Sequence, residues 1–304
     1  MTRTRLGVAL AVYAAASVGS SVAVSTRISI FPRLGGLSLR YAMAALLLTA
    51  IVLIRRTPWP RITRRDWLLL ILLAATGMVG FNMFLLGAVH HADPGAVGAI
   101  VGSVPILLVL IGPLPVGRTP AARALLASAV VVAGAALAEG AGSGSRLGLL
   151  LALGALGGET VFSLLATPIL PRLGPMFVAT FGCAIAAVMA LLVGLVLDGG
   201  DVLRMPTPSE GLSILYLGIA VSGLGFFAWY SAIVRLGVER AGLFTGLMPM
   251  FALLTGWALA TNDPNPLQFL GVVIVGMGVT IGIRPAKTRP RSIEVEVASS
   301  VFEP

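Results

Sequence analysis

Two stretches of the sequence, "GAIVGSVPILLVLIG" at residues 98–112 and "GLFTGLMPMFALLTG" at residues 242–256, have the same spacing of glycine and proline. When residue numbers in the first stretch are raised by 144, its glycines and proline coincide with those of the second without a gap: Gly98, Gly102 and Pro105 with Gly242, Gly246 and Pro249. Glycine accounts for only 37 of the 304 residues, so chance is a poor explanation for the match. The chain therefore contains an internal repeat.

The sequence around these stretches has the composition of a helical membrane protein. Hydrophobic residues make up 57% of the chain and charged residues 11%, whereas a soluble domain carries about 25% charged residues. The apolar residues form blocks of about twenty, which is enough to cross a hydrocarbon layer of about 30 Å. Breaks at Arg, Pro and Gly clusters predict ten spans, near residues 6–26, 36–54, 67–89, 94–116, 121–139, 147–168, 174–197, 211–234, 240–261 and 267–284.

The repeat and the number of spans together predict an inverted duplication. An offset of 144 pairs the fourth span with the ninth and the fifth with the tenth, so each half has five spans. Because five is odd, the second half enters the membrane from the opposite side, as in many secondary transporters, whose substrate site lies near the midplane between the repeats. We expect an all-α membrane protein with repeats at residues 1–144 and 145–284. A polar tail at residues 285–304 is expected to be disordered.

The charged loops predict the orientation. With the N-terminus inside, sixteen of the 21 lysines and arginines lie on the inner side, as the positive-inside rule requires. We therefore expect a multi-pass protein of the plasma (inner) membrane with both termini cytoplasmic. The net charge of +9 does not predict a nucleic-acid partner, because the charges lie in short loops without a basic face. The oligomeric state cannot be read from the sequence.

A single glutamate lies inside the apolar run "LGALGGETVFSLLATPIL" at residues 153–170. Helix geometry places Glu159 about 18 Å from Leu147 and about 12 Å from Thr167, within the hydrocarbon. A charge there costs a few kcal/mol and usually marks a substrate or ion pathway. Glu159 could bind a substrate ammonium group or carry a coupling proton. The alternative is a hydrogen-bonded or protonated glutamate that fixes helix packing.

Other polar and aromatic side chains lie at helical spacing on neighbouring spans. We predict that the substrate site also includes Ser163, Tyr13, Ser17, Asn82, Trp229 and Tyr230. Serines in helices often bond to their own backbone, and membrane aromatics often serve packing or the interface, so structural roles remain open for these residues. The repeated glycines predict close helix packing, and the two repeated prolines are candidate hinges or static kinks.

No cofactor or metal is expected. The turn "HHAD" at residues 90–93 places consecutive side chains in diverging directions, which does not suit a metal site. The single cysteine, Cys183, excludes an internal disulfide. The spans contain no H-E-x-x-H, G-x-S-x-G or P-loop, so neither an enzyme nor an ATP-driven pump is expected.

Three segments resemble the EamA-type ten-helix members of the drug/metabolite transporter superfamily. They are "LSLRYAMAALLL" (37–48), "FLLGAVHHADPGAVGAIVGSVPILLVL" (84–110) and "GLGFFAWYSAIVRLGVERAGLFTGLMPMFALLTGWAL" (223–259). The resemblance implies two five-helix repeats and export of small metabolites or drugs by exchange or proton coupling. The sequence departs from the family's pattern in "PLPVGRTP" (113–120) and "ALATNDPNP" (258–266), which lack its usual Leu-Gly-Glu, and in its first span, which lacks tryptophan.

The function expected from these observations is secondary active transport of a small metabolite, with export as the expected direction and amino acids or related amphipathic compounds as the expected substrates. The alternatives are a uniporter or exchanger and a channel-like facilitator, which saturation and counterflow of the flux would distinguish. A receptor or scaffold is the least favoured class, because neither predicts an inverted duplication with a buried carboxylate.

Overall fold

The computed structural model describes residues 3–28, 30–140, 143–259 and 266–283, and the described chain is helical throughout, without a strand. Ten of its helical segments are long and apolar enough to cross a membrane. They are α1 (Arg3–Ile28), α2 (Arg33–Ile54), α3 (Arg64–His91), α4 (Pro94–Ile111), α5 (Ala122–Glu139), α6 (Arg146–Ala166), α7 (Leu170–Leu197), α8 (Pro208–Leu236), α9 (Val238–Ala258) and α10 (Pro266–Ile283). The fold is the expected all-α membrane architecture of two inverted five-helix repeats.

The helix ends differ from the predicted spans mainly at prolines. The fourth span was expected to reach residue 116, but α4 ends at Ile111, because Pro113 and Pro115 offer no N–H for a helical hydrogen bond. The seventh begins at Leu170 rather than 174, as one helical turn continues into a bend at Gly174, where φ is 77° and ψ is 159°. The predicted tail and the last two residues of the ninth span lie outside the described residues.

The third helix of each repeat begins with the same capping arrangement. At the start of α3, the Thr63 hydroxyl accepts from the Asp66 N–H at 3.3 Å, and the Thr63 N–H donates to the Asp66 carboxylate at 2.8 Å. Thr207 and Glu210 form the same reciprocal pair at the start of α8. Each pair satisfies two backbone donors that a helix start leaves unpaired. An offset of 144 relates the two pairs, so the repeat extends to helix initiation.

Each of these caps is also tied to a cation. Arg172 at the start of α7 donates to the Asp66 carboxylate at 2.9 Å, and Arg204 donates to Glu210 at 2.6 Å. The Asp66 side chain is only 2% exposed, so its charge depends on these partners. The Asp66–Arg172 pair therefore holds the start of α3 against the start of α7.

We expect the Asp66→Asn variant to unfold with a free energy lower by about 1 to 3 kcal/mol, because it removes a charge-assisted hydrogen bond at a buried position. Thermal unfolding of the detergent-purified protein measures this effect. Glu239→Gln is the matched control. Its ion pair with Arg118 is longer, at 3.4 Å, and the arginine side chain is 67% exposed, so a loss below about 1 kcal/mol is expected. Equal losses in the two variants would contradict the prediction.

Regular α-helical hydrogen bonding is interrupted in four spans, at positions that the repeat relates in pairs. In α3 the segment Ala74–Gly80 forms a π-helix, and in α8 the segment Leu217–Gly225 does so at the equivalent position. In α4 the helix breaks after Val101, and α9 tightens to a 3₁₀ turn at Leu243–Leu247. Interruptions of this kind are tolerated within a membrane where protein or a cavity surrounds them, and π-helices are frequent at functional sites.

The breaks in α4 and α9 have an identifiable cause. Each lies within one turn before a proline, Pro105 or Pro249, whose ring displaces the carbonyl four residues earlier and leaves it unpaired. The sequence predicted kinks at these two prolines, and the helices are interrupted there. Whether the kinks move during a transport cycle stays a prediction.

The helices pair according to the repeat symmetry. Helix α5 packs on α10, α2 packs on α7, and α1 lies against α8 and α9, as α6 lies against α3 and α4. The first pairing is very close. A Cβ built on Gly134 would lie 2.7 Å from the Val275 nitrogen, and one built on Gly278 would lie 2.8 Å from the Val131 nitrogen. Small residues allow this approach, and the arrangement leaves α1, α2, α3, α6 and α8 around the middle of the molecule.

Candidate substrate site

Aromatic rings from both repeats meet in the middle of the bundle. The ring of Tyr41 on α2 lies 6.2 Å from that of Phe226 on α8, and the Phe162 ring on α6 lies 5.5 Å from both Phe226 and Tyr230. We call these four residues the central aromatic cluster. Close contact between α3 and α6 fixes Phe162, because the missing Cβ of Gly77 leaves room for it. The cluster therefore forms where the two repeats face each other.

Glu159 lies one turn from Phe162 on the same helix. Two glycines precede it, and Gly158 lets α6 approach the carbonyl of Thr76 in the π-helix of α3, since a Cβ there would lie 2.7 Å from that oxygen. A Cβ on Gly157 would meet open space. Helix geometry places Glu159 roughly 20 Å from Arg146 and roughly 10 Å from Ala166, which is inside the span.

The Glu159 carboxylate has no hydrogen bond or ion pair with any described residue. It lies within electrostatic range of the phenol groups of Tyr41 and Tyr230. Glu159 lies within the bundle but is only partly buried, so part of its surface is accessible. A carboxylate in this position can accept hydrogen bonds from a bound cation or exchange a proton.

Two buried polar atoms near this site also lack a partner within the described chain. They are the hydroxyl of Ser163, which is fully buried, and the indole N–H of Trp229, which is 5% exposed as a residue. Ser163 shares a helix face with Glu159, and Trp229 belongs to the same buried core as Tyr41 and Phe162. Buried polar groups are nearly always hydrogen-bonded, so unpaired ones in a transporter mark positions where a ligand or water can bind.

The remaining predicted residues are placed differently. Asn82 donates to the Met78 carbonyl at 2.6 Å and to the Tyr41 hydroxyl at 3.4 Å, which links it to the central aromatic cluster. The Tyr13 hydroxyl donates to the Ala220 carbonyl in the π-helix of α8 at 3.1 Å, so it joins α1 to α8. Ser17 donates to the Ala14 carbonyl of its own helix at 2.9 Å. This is the bonding that a structural serine would show.

Arg40 is a central residue that the sequence analysis did not select. It lies near the start of α2, and its Nε donates to the Ser222 hydroxyl at 2.9 Å in the π-helix of α8. Its guanidinium carbon lies 5.3 Å from the centre of the Tyr41 ring. The Cys183 thiol contacts the carbonyl of the same serine at 3.8 Å. The sequence signal that could have pointed to Arg40 and Tyr41 is that both lie in the motif "LSLRYAM", which is part of the family resemblance.

A second carboxylate inside a span was also missed. Glu139 ends α5 and has no hydrogen-bond or ion-pair partner among the described residues. Its carboxylate fills the space beside Gly98, where a Cβ would lie 2.5 Å from it. Built Cβ atoms would likewise meet Ala135 at Gly102, Leu108 at Gly242 and Val131 at Gly246. Gly98, Gly242 and Gly246 therefore lie at tight helix contacts, whereas Ala135 is at an ordinary 3.5 Å from the Cβ built on Gly102. The packing role of the four glycines stays a prediction. Glu139 lies at the helix end, away from the central aromatic cluster.

The turn between α3 and α4 is held to the segment before α6 by hydrogen bonds. Asp93 accepts hydrogen bonds from the Ser143 N–H at 2.8 Å and from its hydroxyl at 3.1 Å. These bonds hold the pKa of Asp93 below its usual value, so they contribute stability at neutral pH that is lost as acid protonates the carboxylate. The adjacent His90 ring lies 3.4 Å from Arg33. Among the described residues, no three metal-ligating side chains come together.

The chain has ten membrane-spanning helices in two inverted repeats, with a carboxylate and unpaired polar atoms within the bundle. This is the organisation of a membrane transporter. The sequence pattern of the EamA-like transporter family matches residues 5–139 and again residues 146–283. The chain belongs to this family, and the resemblance found in the sequence is confirmed.

Several known proteins are similar to the chain over most of its length. The uncharacterized transporter YetK of Bacillus subtilis (strain 168) is 24% identical, over 92% of this chain and 88% of its own. The probable terminal-alkyne amino-acid exporter of Streptantibioticus cattleyicolor is 27% identical, over 71% of this chain and 73% of its own. One crystal structure matches with a TM-score of 0.80 over 91% of this chain and 96% of its own at 19% identity, which shows the fold alone.

Proposed function

We propose that this transporter is a secondary active exporter of small amphipathic metabolites, with amino acids as the main candidates. The observation that carries the proposal is the Glu159 carboxylate, which lies inside the membrane-spanning bundle and has no partner among the described residues. A structural glutamate at this depth would need a hydrogen bond or a cation, because an unpaired charge in the membrane is costly. A substrate ammonium group supplies that partner when it binds.

The neighbours of Glu159 support an amphipathic substrate. Rings of Phe162, Phe226 and Tyr230 offer an apolar surface beside the carboxylate, and aromatic faces also attract cations. The unpaired Ser163 hydroxyl and Trp229 N–H add two polar contacts. One relative carries the name of an amino-acid exporter. Together these features favour a small molecule with an amino group and an apolar side chain.

The proposed mechanism is alternating access between the two repeats, 1–144 and 145–284, with both termini on the cytoplasmic side of the plasma membrane. The interruptions in α3, α4, α8 and α9 supply the points at which the helices could bend, and Pro105 and Pro249 are the proposed hinges. Glu159 is also the proposed site of the coupling proton. In that scheme the carboxylate holds either the substrate ammonium or a proton, and each displaces the other.

A growth assay tests the proposed substrate class. Cells producing the full-length chain are challenged with toxic amino-acid analogues and, separately, with cationic drugs at several external pH values. We expect protection against at least one amino-acid analogue. A protective effect that depends on external pH supports proton coupling. Protection against the cationic drugs alone would overturn the amino-acid proposal.

The unpaired hydroxyl of Ser163 leads to a prediction with two separable readouts. We expect Ser163→Ala to leave the unfolding temperature unchanged or higher, since it removes a buried polar group without a partner. If the hydroxyl contacts the substrate, the same variant weakens substrate affinity by roughly 3- to 10-fold, the effect of one neutral hydrogen bond. Thermal unfolding and the concentration dependence of transport measure the two effects. A destabilised variant with unchanged affinity would show that Ser163 has a structural role.

A further inference from the structure

Arg40 is a second charged side chain that reaches the central aromatic cluster. Only its Nε is used, in the bond to Ser222. A guanidinium has five N–H donors, so the four on its terminal nitrogens have no partner among the described residues. Its guanidinium carbon lies 5.3 Å from the centre of the Tyr41 ring, so the Ser222 hydroxyl and this ring together hold the group. An arginine held in this way is oriented before a ligand arrives, and its free edge suits the two oxygens of a carboxylate.

Arg40 and Glu159 are charged groups of opposite sign near the same central aromatic cluster. Arg40 lies over Tyr41, and Glu159 lies within electrostatic range of the Tyr41 phenol. They nevertheless form no ion pair with each other, and neither forms one with another described residue. In a purely structural arrangement two such charges would neutralise each other, because leaving each unpaired in a membrane span is costly. A single molecule that carries both complementary charges would pair with each of them.

We infer that Arg40 binds the carboxylate of the substrate while Glu159 binds its ammonium group, so that the site selects zwitterionic α-amino acids over simple amines or acids. This inference rests on the proposed function and specifies its substrate class. The rings of Phe162, Phe226 and Tyr230 then contact the apolar side chain of the amino acid. Ser222 acts as a positioning residue, because it holds Nε and directs the two terminal nitrogens of Arg40 towards the ligand.

Three related probes measure separately how much each charge of the ligand contributes to binding. L-Phenylalanine carries both, phenethylamine lacks the carboxylate, and 3-phenylpropionate lacks the ammonium group. Their dissociation constants are measured by thermal stabilisation of the full-length, detergent-purified protein, which reports binding even in a variant that no longer transports. For the wild type we expect each of the two single-charge probes to bind roughly 10- to 100-fold more weakly than phenylalanine, the effect of one charge-assisted interaction.

The variants assign each charge to its residue. In Arg40→Gln, phenylalanine should bind roughly 10- to 100-fold more weakly while the affinity for phenethylamine changes little. Arg40→Lys should recover part of the loss, since it keeps the charge without the planar geometry. In Glu159→Gln the affinity for phenylalanine should fall while that for 3-phenylpropionate is retained. A role of Arg40 in packing alone would weaken all three probes together in Arg40→Gln.

Two outcomes would overturn the inference and can be told apart. If phenylalanine and phenethylamine bind the wild type equally, or if Arg40→Gln weakens all probes to the same extent, Arg40 does not bind a carboxylate. The proposed function then survives, with a substrate recognised through its ammonium group. If the wild type binds none of the three probes, the amino-acid substrate class of the proposed function fails, and the inference fails with it.

Discussion

Replacing Glu159 by glutamine should lower substrate counterflow by roughly 10- to 100-fold in proteoliposomes that contain equal amounts of protein. The change keeps the shape of the side chain but removes its charge, and a hydrogen bond to a charged group is worth about 1.5 to 3 kcal/mol. The carboxylate has no described partner in the protein, so its loss leaves no buried cation unpaired. The folding of the variant should therefore be unaffected, and the defect should appear in transport.

Glu139→Gln is the matched control for this prediction. It makes the same chemical change in another helix that spans the membrane, at a carboxylate that also has no hydrogen-bond or ion-pair partner among the described residues. Glu139 lies against Gly98 at the end of α5, away from the central aromatic cluster, so we expect transport close to that of the wild type. If the two variants lose activity equally, the position of Glu159 has no special role. If Glu159→Gln transports normally, Glu159 serves packing only.

The second large effect concerns the stability of the pairing between α5 and α10. A Cβ on Gly271 would lie 2.5 Å from the Ala138 nitrogen and 2.6 Å from the Gly134 oxygen. Because both are backbone atoms, they cannot move without separating the helices. We expect Gly271→Ala to lower the free energy of unfolding by about 1 to 3 kcal/mol through overpacking. Thermal unfolding of the purified protein measures the loss.

Gly276→Ala tests the same explanation, because here the free energy of unfolding should stay the same or rise. This glycine lies on the same helix, but a Cβ added to it would meet nothing within 4 Å. Alanine is a better helix former than glycine by about 1 kcal/mol, so the variant should be as stable as the wild type or more stable. Equal destabilisation by the two substitutions would show that the close approach of α5 and α10 does not determine stability.

The ten spans could be predicted because the physical signal is strong and local. Hydrocarbon thickness sets the helix length, and the scarcity of charge leaves few alternatives. The inverted duplication was also visible, since glycines and prolines keep their spacing in helices that pack closely. The reciprocal caps at Thr63 and Thr207 could have been found in the same way, because each has an acidic residue three positions later.

The centre of the site could be predicted only in part. Glu159 was identifiable because a carboxylate in an apolar run is unusual, but whether it has a partner depends on neighbouring helices. Arg40 was not selected, because its position relative to Ser222 depends on how α2 packs on α8. The π-helices of α3 and α8 carry no clear local signal, since tertiary contacts determine the hydrogen-bonding pattern.

Counterflow in proteoliposomes tests the central claim most directly, which is that the molecule moves a small substrate by alternating access through the site at Glu159. Vesicles containing the full-length protein are loaded with unlabelled L-phenylalanine and diluted into a trace of the labelled amino acid. We predict transient accumulation of label inside, with a rate that saturates as external substrate rises. A flux that is linear in concentration and independent of the internal load would indicate a channel-like facilitator and contradict the account.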